Sequence, residues 1–250
     1  MDVLPDLRGA VGRGEIRAHF QPQFDVATRR IVAVEALARW SHPVYGPIPP
    51  SVFIPFAEQH NLINDIGGAM IAEGCRCAAL WRERGFDVQV AVNVSAAQLA
   101  TSVVVDQIEE SLGKYSLPGD RLVIEITESL PVIAVPGVHT VLEQIRAAGV
   151  TISVDDFGAG HWSIDQLMEL PASEVKIDKS RIHAAGPADE FIRGVVTLAH
   201  TRALRVVAEG IESEEQLALV RELGVDRAQG FLLGRPRPEG EMTQLLELSR

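Results

Sequence analysis

The sequence predicts an α/β fold, a TIM-like (β/α)8 barrel with one antiparallel strand near the N-terminus. Eight short apolar runs alternate with helix-like stretches along 250 residues, the usual length of such a barrel. The runs are rich in Val and Ile, as expected for strands buried on both faces. The link FDVATRR between the first two runs leaves no room for a helix, so it predicts a hairpin and one antiparallel strand.

The predicted strands are spaced along the whole chain. They are residues 16–25, 31–40, 88–95, 121–128, 150–157, 173–178, 204–210 and 227–234. Amphipathic segments between them predict helices at residues 50–60, 64–84, 137–148, 188–202 and 213–223. Ser213 can cap the start of the last of these helices, and Gly224 can end it. No linker or short repeat interrupts the pattern, so we predict a single domain over residues 1–250.

The charge and hydropathy of the chain exclude some classes of partner. The net charge is −11, from 23 basic and 34 acidic residues, which argues against binding to long nucleic acid. It does not exclude a small phosphate ligand, because carboxylates can hold phosphates through divalent metals. No apolar run approaches the ~20 residues of a membrane helix, so we predict no direct membrane insertion. The N-terminal stretch lacks the features of a signal peptide, and we therefore expect a cytoplasmic location.

The cysteines and histidines indicate neither a disulfide nor a zinc site. Cys75 and Cys77 lie two residues apart in a helix-like stretch and would point to different faces. The absence of a disulfide between them would fit a reducing compartment. The histidines show no paired ligand spacing, which argues against a zinc site of the Cys/His kind.

The stretch VDDFGAG, residues 154–160, places two acids directly after an apolar run. Two like charges at the end of a buried strand repel each other, and burial makes each one costly unless something positive lies between them. A metal ion is the simplest positive group for Asp155 and Asp156. The other strand ends are therefore the place to look for further ligands.

Polar residues occur at or near the end of each later strand, where the active sites of such barrels form. These residues are Glu35, Arg39, Asn93, Ser95, Glu125, Glu128, Asp155, Asp156, Lys176, Asp178, Glu209, Glu212 and Gln229. Their oxygen ligands suit Mg²⁺ or Mn²⁺ better than zinc. Two ions ~4 Å apart are the usual arrangement for cleaving phosphate esters, and Asp155 could bridge them. Lys176 could hold the attacking water or stabilise developing charge.

Each of these residues also has a structural interpretation when it is taken alone. Glu35 could be a solvated rim residue, and Asn93 is more often a turn or cap residue. Lys176 could simply pair with a core acid. The compatible chemistry of the whole set favours a site, whereas Glu212 and Gln229 stay open between a supporting and a structural role.

Eight motifs occur in a characteristic order. They are FQPQFD, EALARW, VNVS, EITES, DDFGAG, KID, AEGIE and QGFLLGRP. With them the chain resembles the EAL domain family of bacterial cyclic di-GMP phosphodiesterases over about residues 8–240. The family fold is a TIM-like barrel with one antiparallel strand near its start.

The resemblance implies hydrolysis of one phosphodiester of cyclic di-GMP to linear pGpG. It implies two Mg²⁺ or Mn²⁺ ions per site, inhibition by Ca²⁺, and a homodimer. The implied ligands of the first ion are Glu35, Asn93, Glu125 and Asp155. The implied ligands of the second are Asp155 and Asp156, supported by Glu209 and Gln229.

The resemblance also implies the roles of the remaining site residues. Lys176 would hold the nucleophilic water, so Lys176, Glu35 and Glu209 form the predicted catalytic group. The residues expected to bind the dinucleotide are Gln21, Leu37, Arg39 and Gln229, and Arg39 would contact phosphate, to which its planar guanidinium is suited. Glu128 would anchor the loop after Asp156.

The loop after Asp156 departs from the family pattern. The family commonly reads DFGTGYSSL, whereas this chain reads DFGAGHWSI, with changes at Ala159, His161 and Trp162. Arg181 stands where an apolar residue is common. These changes could alter the rate and regulation of the reaction.

Several features of the sequence also occur in proteins with other functions. A catalytically silent cyclic di-GMP receptor or a partner-binding EAL-like domain stays open, although no predicted ligand is missing. Enolase-type barrels also place acids and lysines around Mg²⁺, but they carry a capping domain for which this chain has no length left. The DFG at residues 156–158 lacks the other kinase motifs, and GAG at 158–160 lacks the third glycine of a dinucleotide-binding loop.

Overall fold

The computed structural model describes residues 4–127, 136–160, 164–184, 186 and 189–249. The strands are β1 Ile16–Asp25, β2 Ile31–His42, β3 Gly46–Ile48, β4 Gln89–Asn93, β5 Leu122–Thr127, β6 Thr151–Phe157, β7 Glu174–Ile177, β8 Arg205–Ala208 and β9 Arg227–Gln229. The helices are α1 Leu4–Leu7, α2 Pro50–Gln59, α3 Ile63–Glu83, α4 Ala96–Leu99, α5 Val103–Lys114, α6 Val138–Ala147, α7 Ile164–Glu169, α8 Lys179–Ala184, α9 Glu190–Thr201, α10 Glu214–Glu222 and α11 Glu239–Leu248.

The strands form a closed barrel. Neighbours follow the order β1-β9-β8-β7-β6-β5-β4-β2-β3, and an additional pairing between β1 and β2 closes the ring. The strand β1 runs antiparallel to both β2 and β9, whereas β2, β4 and the later barrel strands pair in parallel. The short β3 is an extra strand that extends the sheet from β2. The predicted TIM-like barrel with one antiparallel strand is confirmed.

The hairpin between β1 and β2 explains the reversed strand. In its short link the Asp25 carboxylate accepts hydrogen bonds from the Thr28 amide and hydroxyl, both at 2.7 Å. Arg29 takes a left-handed conformation, with φ 56°. So short a turn can only return the chain beside the strand it has just left, which makes the pair antiparallel.

Some element boundaries differ from the predicted ones. The last strand stops at Gln229, so the predicted strand over residues 227–234 was too long. Its second half turns instead, with hydrogen bonds from the Leu233 and Gly234 amides to the Gly230 carbonyl. The backbone at Gly230 packs directly on Ile211, and a Cβ there would lie 2.1 Å from the Ile211 carbonyl oxygen. Among the described residues, the structure also adds elements that no predicted segment covers: β3, α1, α4, α5, α7, α8 and α11.

The long helix α3 packs on the outside of the barrel wall. It approaches β4 so closely at Gly74 that a Cβ there would lie 3.0 Å from Val92 Cγ2. Farther along the helix, the Trp81 ring meets Phe20 edge-on, with centroids 5.1 Å apart. Cys75 and Cys77 are buried in this helix and are both free. Among the described residues, no helix has the length and apolar character needed to cross a membrane.

Candidate active site

Four carboxylates of the described chain surround the ammonium group of Lys176 on β7. The Nζ atom lies 2.7 Å from Glu209, 3.0 Å from Asp155, 3.1 Å from Glu125 and 3.5 Å from Glu35. The Lys176 side chain is fully buried. A lysine so enclosed keeps its proton only because its neighbours are negative.

The barrel topology explains why residues so far apart in sequence meet here. Side chains alternate along a strand, so one face of each strand points into the barrel. Parallel register then aligns the strand ends, for example Asn93 with Glu125 across β4 and β5, and Thr127 with Asp155 across β5 and β6. The resulting cluster lies at the C-terminal ends of the parallel strands, where the sequence predicted it.

A bulge in β6 explains how two adjacent acids serve one site. The register pairs Val154 with Val175 and Phe157 with Ile177, so β6 carries one more residue than β7 between these points. Such an extra residue breaks the strict alternation of side chains. Asp156 takes a left-handed conformation with φ 57°, and its amide donates to Asp155 Oδ1 at 2.9 Å. Asp155 and Asp156 can therefore both offer oxygens to the same site.

The acids form two groups whose geometry fits a metal ion. One group is Glu35, Glu125 and Asp155, and the other is Asp155, Asp156 and Glu209; within each, one carboxylate oxygen per residue lies within 4.8 Å of the others. Asp155 belongs to both groups, as expected for a bridging ligand. All the donors are oxygen atoms, which are the preferred ligands of Mg²⁺ and Mn²⁺.

The charge balance of the cluster also fits cations. Five ionised acids would carry five negative charges, and Lys176 returns one, which leaves four. Two divalent cations would balance these four charges. Apart from the ion pair with Lys176, both carboxylate oxygens of Glu125 are buried without a hydrogen-bond partner among the described residues. Buried oxygens of this kind are costly unless a cation or donor meets them.

The pKa values of the acids reflect this crowding. Burial, reinforced by the charge of Glu35, raises the pKa of Glu125 well above its usual range. Burial and the neighbouring charge of Asp155 raise the pKa of Asp156 to about 6 and that of Glu209 to about 8. Burial alone would raise the pKa of Glu35 as well. The charge of Lys176 and the hydrogen bonds to Glu35 outweigh burial, so the pKa of Glu35 is lowered. A bound cation would favour the ionised form of all these acids.

Hydrogen bonds orient the Glu35 carboxylate. Asn93 Nδ2 donates to Glu35 Oε1 at 2.7 Å, and Gln229 Nε2 donates to Glu35 Oε2 at 2.6 Å. Gln229 Nε2 also donates to Gln21 Oε1 at 3.1 Å, and Gln21 Nε2 donates to the Gly234 carbonyl at 3.0 Å. Gln229, whose role stayed open from the sequence, therefore contacts a predicted cation ligand directly.

Two cavities adjoin the carboxylate cluster. One, of about 480 Å³, is lined by Leu37, Arg39, Asn93 and Asp156 together with residues of α2 and α3. The other, of about 220 Å³, is lined by Leu37 and by Gln21, Glu35, Glu209, Gln229 and Phe231. Leu37 thus stands between the two cavities. Burial lowers the pKa of the half-buried Arg39, which nevertheless stays charged.

The remaining sequence candidates have other positions. The Asp178 carboxylate accepts a hydrogen bond from the Ser180 amide at 2.8 Å, at the start of α8. The Ser95 amide donates to Gln98 Oε1 at 3.1 Å, at the start of α4. Glu212 is exposed, although it lines the smaller cavity. Glu128, His161 and Trp162 lie outside the described residues.

The sequence reasoning missed two residues that line the smaller cavity. Phe231 is half exposed there, and the Arg235 guanidinium carbon lies 4.2 Å from the centre of its ring. Lys179 also lines this cavity. The position of Phe231, two residues after Gln229, could have suggested it, because the turn after a barrel strand faces the site.

The fold and the site together define a class of protein, a TIM-like barrel with an acidic cluster suited to divalent cations. Comparison with known proteins gives the family. The EAL domain model matches residues 5–236. The chain belongs to the EAL domain family.

Several relatives resemble the chain over almost its whole length. The bifunctional diguanylate cyclase/cyclic di-GMP phosphodiesterase MucR of Pseudomonas aeruginosa is 41% identical over 246 residues, which are 97% of this chain and 36% of MucR. The oxygen sensor protein DosP of Escherichia coli is 33% identical over 94% of this chain and 30% of DosP. The chain thus spans about a third of the length of these two relatives.

Solved structures agree with this family. The structure described as the PaMucR phosphodiesterase in complex with c-di-GMP has a TM-score of 0.89 and 40% identity, and the match covers 97% of this chain and all of that one. The EAL domain of Mycobacterium smegmatis DcpA has a TM-score of 0.79 and 32% identity, over 94% of this chain and 99% of the other.

Proposed function

We propose that this chain hydrolyses one phosphodiester bond of cyclic di-GMP and releases linear pGpG. The observation that carries the proposal is the convergence of four acids around the buried ammonium of Lys176, with Asp156 beside two of them. The similarity to MucR, which is named as a cyclic di-GMP phosphodiesterase, supports the choice of substrate. A structure described as a c-di-GMP complex supports it as well.

Two groups of residues would hold the cations. Glu35, Asn93, Glu125 and Asp155 would hold the first. Asp155, Asp156 and Glu209 would hold the second, and Gln229 would support the site by orienting Glu35. Bound Mg²⁺ or Mn²⁺ would neutralise charge on the phosphate and make water a better nucleophile. Ca²⁺, which is larger and tolerates looser coordination, is expected to inhibit.

Lys176 would act on the attacking water and on developing charge. Its ammonium group has three donors and no acceptor, so it can orient a water oxygen and stabilise negative charge, but cannot remove a proton while it is charged. Although burial acts to lower the pKa of Lys176, the acids around it raise it well above its usual value. The lysine therefore stays charged throughout the neutral pH range.

The cavities would accept the substrate on both sides of the cluster. Cyclic di-GMP carries two phosphates and two guanine bases, so an acidic site would repel it unless cations were bound. Arg39, at the larger cavity, would pair with a phosphate through its planar guanidinium. Leu37, Gln21 and Gln229 line the smaller cavity and would contact the remaining parts of the dinucleotide.

The experiment that tests this function is incubation of the purified chain with cyclic di-GMP and Mg²⁺ or Mn²⁺, with products separated by chromatography. We expect pGpG to form, to stop with chelator, and to be suppressed by Ca²⁺. Intact cyclic di-GMP that binds tightly without turnover would contradict the proposal and indicate a receptor instead. Size-exclusion chromatography with light scattering tests the predicted homodimer.

A further inference from the structure

The backbone just after Asp156 is held by a side chain from α8. Arg181 Nε donates to the Gly158 carbonyl at 2.8 Å. The Arg181 guanidinium carbon also lies 4.5 Å from the centre of the Phe191 ring on α9. Phe191 in turn stacks on Phe157, with ring centroids 6.1 Å apart and planes 16° apart. Arg181 therefore connects two helices with the end of β6.

The packing at Gly158 is tight on the same side. Gly158 has φ 96°, which few residues other than glycine adopt. A Cβ at this position would lie 2.9 Å from Phe191 Cζ and 3.0 Å from Arg181 Cγ. Arg181 and Phe191 thus lie directly on the backbone of the segment that follows the two site acids.

The conformation of Asp156 depends on this segment. A left-handed backbone is unfavourable for an aspartate and persists only where the surroundings hold it. The Ala159 amide donates to the Asp156 carbonyl at 3.1 Å, and the Asp178 amide donates to the Phe157 carbonyl at 3.1 Å. The Arg181 hydrogen bond holds the next carbonyl along the chain, that of Gly158, so its loss would loosen the turn on which Asp156 sits.

We propose that Arg181 is a positioning residue that keeps the Asp156 carboxylate beside those of Asp155 and Glu209. The proposal rests on the proposed function, in which Asp156 is a cation ligand. Arg181 need not touch the cations or the substrate. An apolar residue at this position could pack on Phe191, but it could not donate to the Gly158 carbonyl. Lysine could donate, without the planar contact that arginine makes with the ring.

The direction in which cation affinity changes when Arg181 is removed distinguishes a positioning role from a purely electrostatic one. Arg181 carries a positive charge, and a positive charge near a cation site weakens cation binding. Its removal would therefore strengthen cation binding if charge alone mattered. A positioning role predicts the opposite, because a mobile Asp156 loses more freedom when it becomes a ligand.

The test measures Mn²⁺ binding by isothermal titration calorimetry without substrate, together with hydrogen exchange of the Ala159 and Asp178 amides. We expect Arg181→Met to weaken Mn²⁺ binding about fivefold, the effect of one lost hydrogen bond, and to speed exchange at both amides. Arg181→Lys should restore part of both properties. Arg202→Met, which removes an exposed arginine at the end of α9, is the matched control and should change neither.

Equal or tighter Mn²⁺ binding by Arg181→Met, with unchanged amide exchange, would overturn the proposal. If Arg181→Met does not fold, Phe191→Leu removes the ring beneath the guanidinium and should shift both readouts in the same direction. If the wild-type chain binds no Mn²⁺, the proposed function fails first. Amide exchange then still decides whether Arg181 holds the segment, because faster exchange in Arg181→Met supports it and unchanged exchange refutes it.

Discussion

At the C-terminal end of the barrel, four carboxylates surround one ammonium group, whereas at the N-terminal end Glu174 lies between two arginines. Its Oε2 is 2.8 Å from Arg205 Nη1 and 3.5 Å from Arg227 Nη1. Gln89 Oε1 accepts a hydrogen bond from Arg227 Nη2 at 2.8 Å. Both clusters are therefore ionic and centred on a buried side chain, within one barrel.

The N-terminal cluster is built from the first residues of four strands. Gln89, Glu174, Arg205 and Arg227 begin β4, β7, β8 and β9. Burial lowers the pKa of Arg227 to about 10, so it stays charged at neutral pH. The charge of Glu174 opposes this shift most, and the nearby Asp25 and Asp226 add further negative charge against the two arginines.

The difference between the two ends lies in their charge balance. At the N-terminal end each charge has an opposite partner, which is how buried ions are normally tolerated. At the C-terminal end the acids outnumber the lysine, and the Glu125 oxygens lack hydrogen bonds among the described residues. A surplus of one sign raises the free energy of the folded chain, and it persists where function requires it. The balanced cluster at the N-terminal end therefore fits a structural role, and the unbalanced one fits the proposed cation site.

The largest effect is expected for Glu35→Ala at the C-terminal end. Loss of a carboxylate shared by Asn93, Gln229 and Lys176 should reduce cyclic di-GMP hydrolysis by more than about a hundredfold, because even indirect metal-site partners can cost that much. The free energy of unfolding without cations should fall, because the lowered pKa of Glu35 means that its ionised carboxylate stabilises the folded chain, and its loss leaves the Asn93 and Gln229 donors without their acceptor. Chromatographic turnover and urea unfolding measure the two quantities; near-normal turnover would contradict the assigned role.

Lys176→Ala should slow the chemical step by about 10²- to 10³-fold, the usual effect of losing one group that stabilises developing charge. The KM for cyclic di-GMP should change much less, since the substrate contacts lie elsewhere. Steady-state kinetics at saturating Mn²⁺ separate kcat from KM. A change confined to KM would show that Lys176 serves binding instead.

Glu174→Ala tests the N-terminal end. It leaves the buried Arg227 without its carboxylate, so the free energy of unfolding should fall by about 3–5 kcal/mol. Activity per folded molecule should be unchanged, because the cluster lies at the other end of the barrel. Urea unfolding and turnover measured on the same preparation test this. Unchanged stability would mean that the ion cluster is not structural.

Removal of the cations should make the stability of the chain depend on pH, because the acids of the site then repel one another. The pKa values of Asp156 and Glu209 are raised to about 6 and about 8 in the folded chain. A carboxyl group whose pKa is raised by folding favours the folded state fully at pH values below its pKa in the unfolded chain. This contribution is lost as the pH rises through its pKa in the folded chain. With chelator, the melting temperature should therefore fall from pH 6 to pH 8. Mn²⁺ at 100 times its Kd should add about 2.7 kcal/mol, and should oppose that fall. A melting curve independent of pH and Mn²⁺ would contradict this.

The smallest effect is expected for Arg205→Met at the N-terminal end. About a third of the Arg205 side chain is exposed, so water screens its ion pair with Glu174. The free energy of unfolding should fall by about 1 kcal/mol, well below the change in Glu174→Ala. Urea unfolding of the two variants side by side gives the comparison, and an equal loss in both would show that Arg205 is the main partner of Glu174.

Much of the fold and of the site followed from the sequence alone. The alternation of apolar runs and helical segments predicted the barrel, and the short link FDVATRR predicted the antiparallel β1. The acids of the cluster and Lys176 were found because polar residues in apolar strands are rare without a partner. Parallel strands bring such positions together at one end, so strand position alone was enough to group them.

Other features were decided only by the tertiary structure. The bulge that lets Asp155 and Asp156 serve one site depends on the register between β6 and β7. The hydrogen bond from Gln229 to Glu35 exists because β9 and β2 lie on either side of β1 in the closed barrel. The contact of Arg181 with Gly158 requires the placement of α8 over the end of β6. Local sequence patterns determine which strands and helices form, because they act between near neighbours in the chain. Register, barrel closure and side-chain pairing depend on residues far apart in sequence, so only the folded chain determines them.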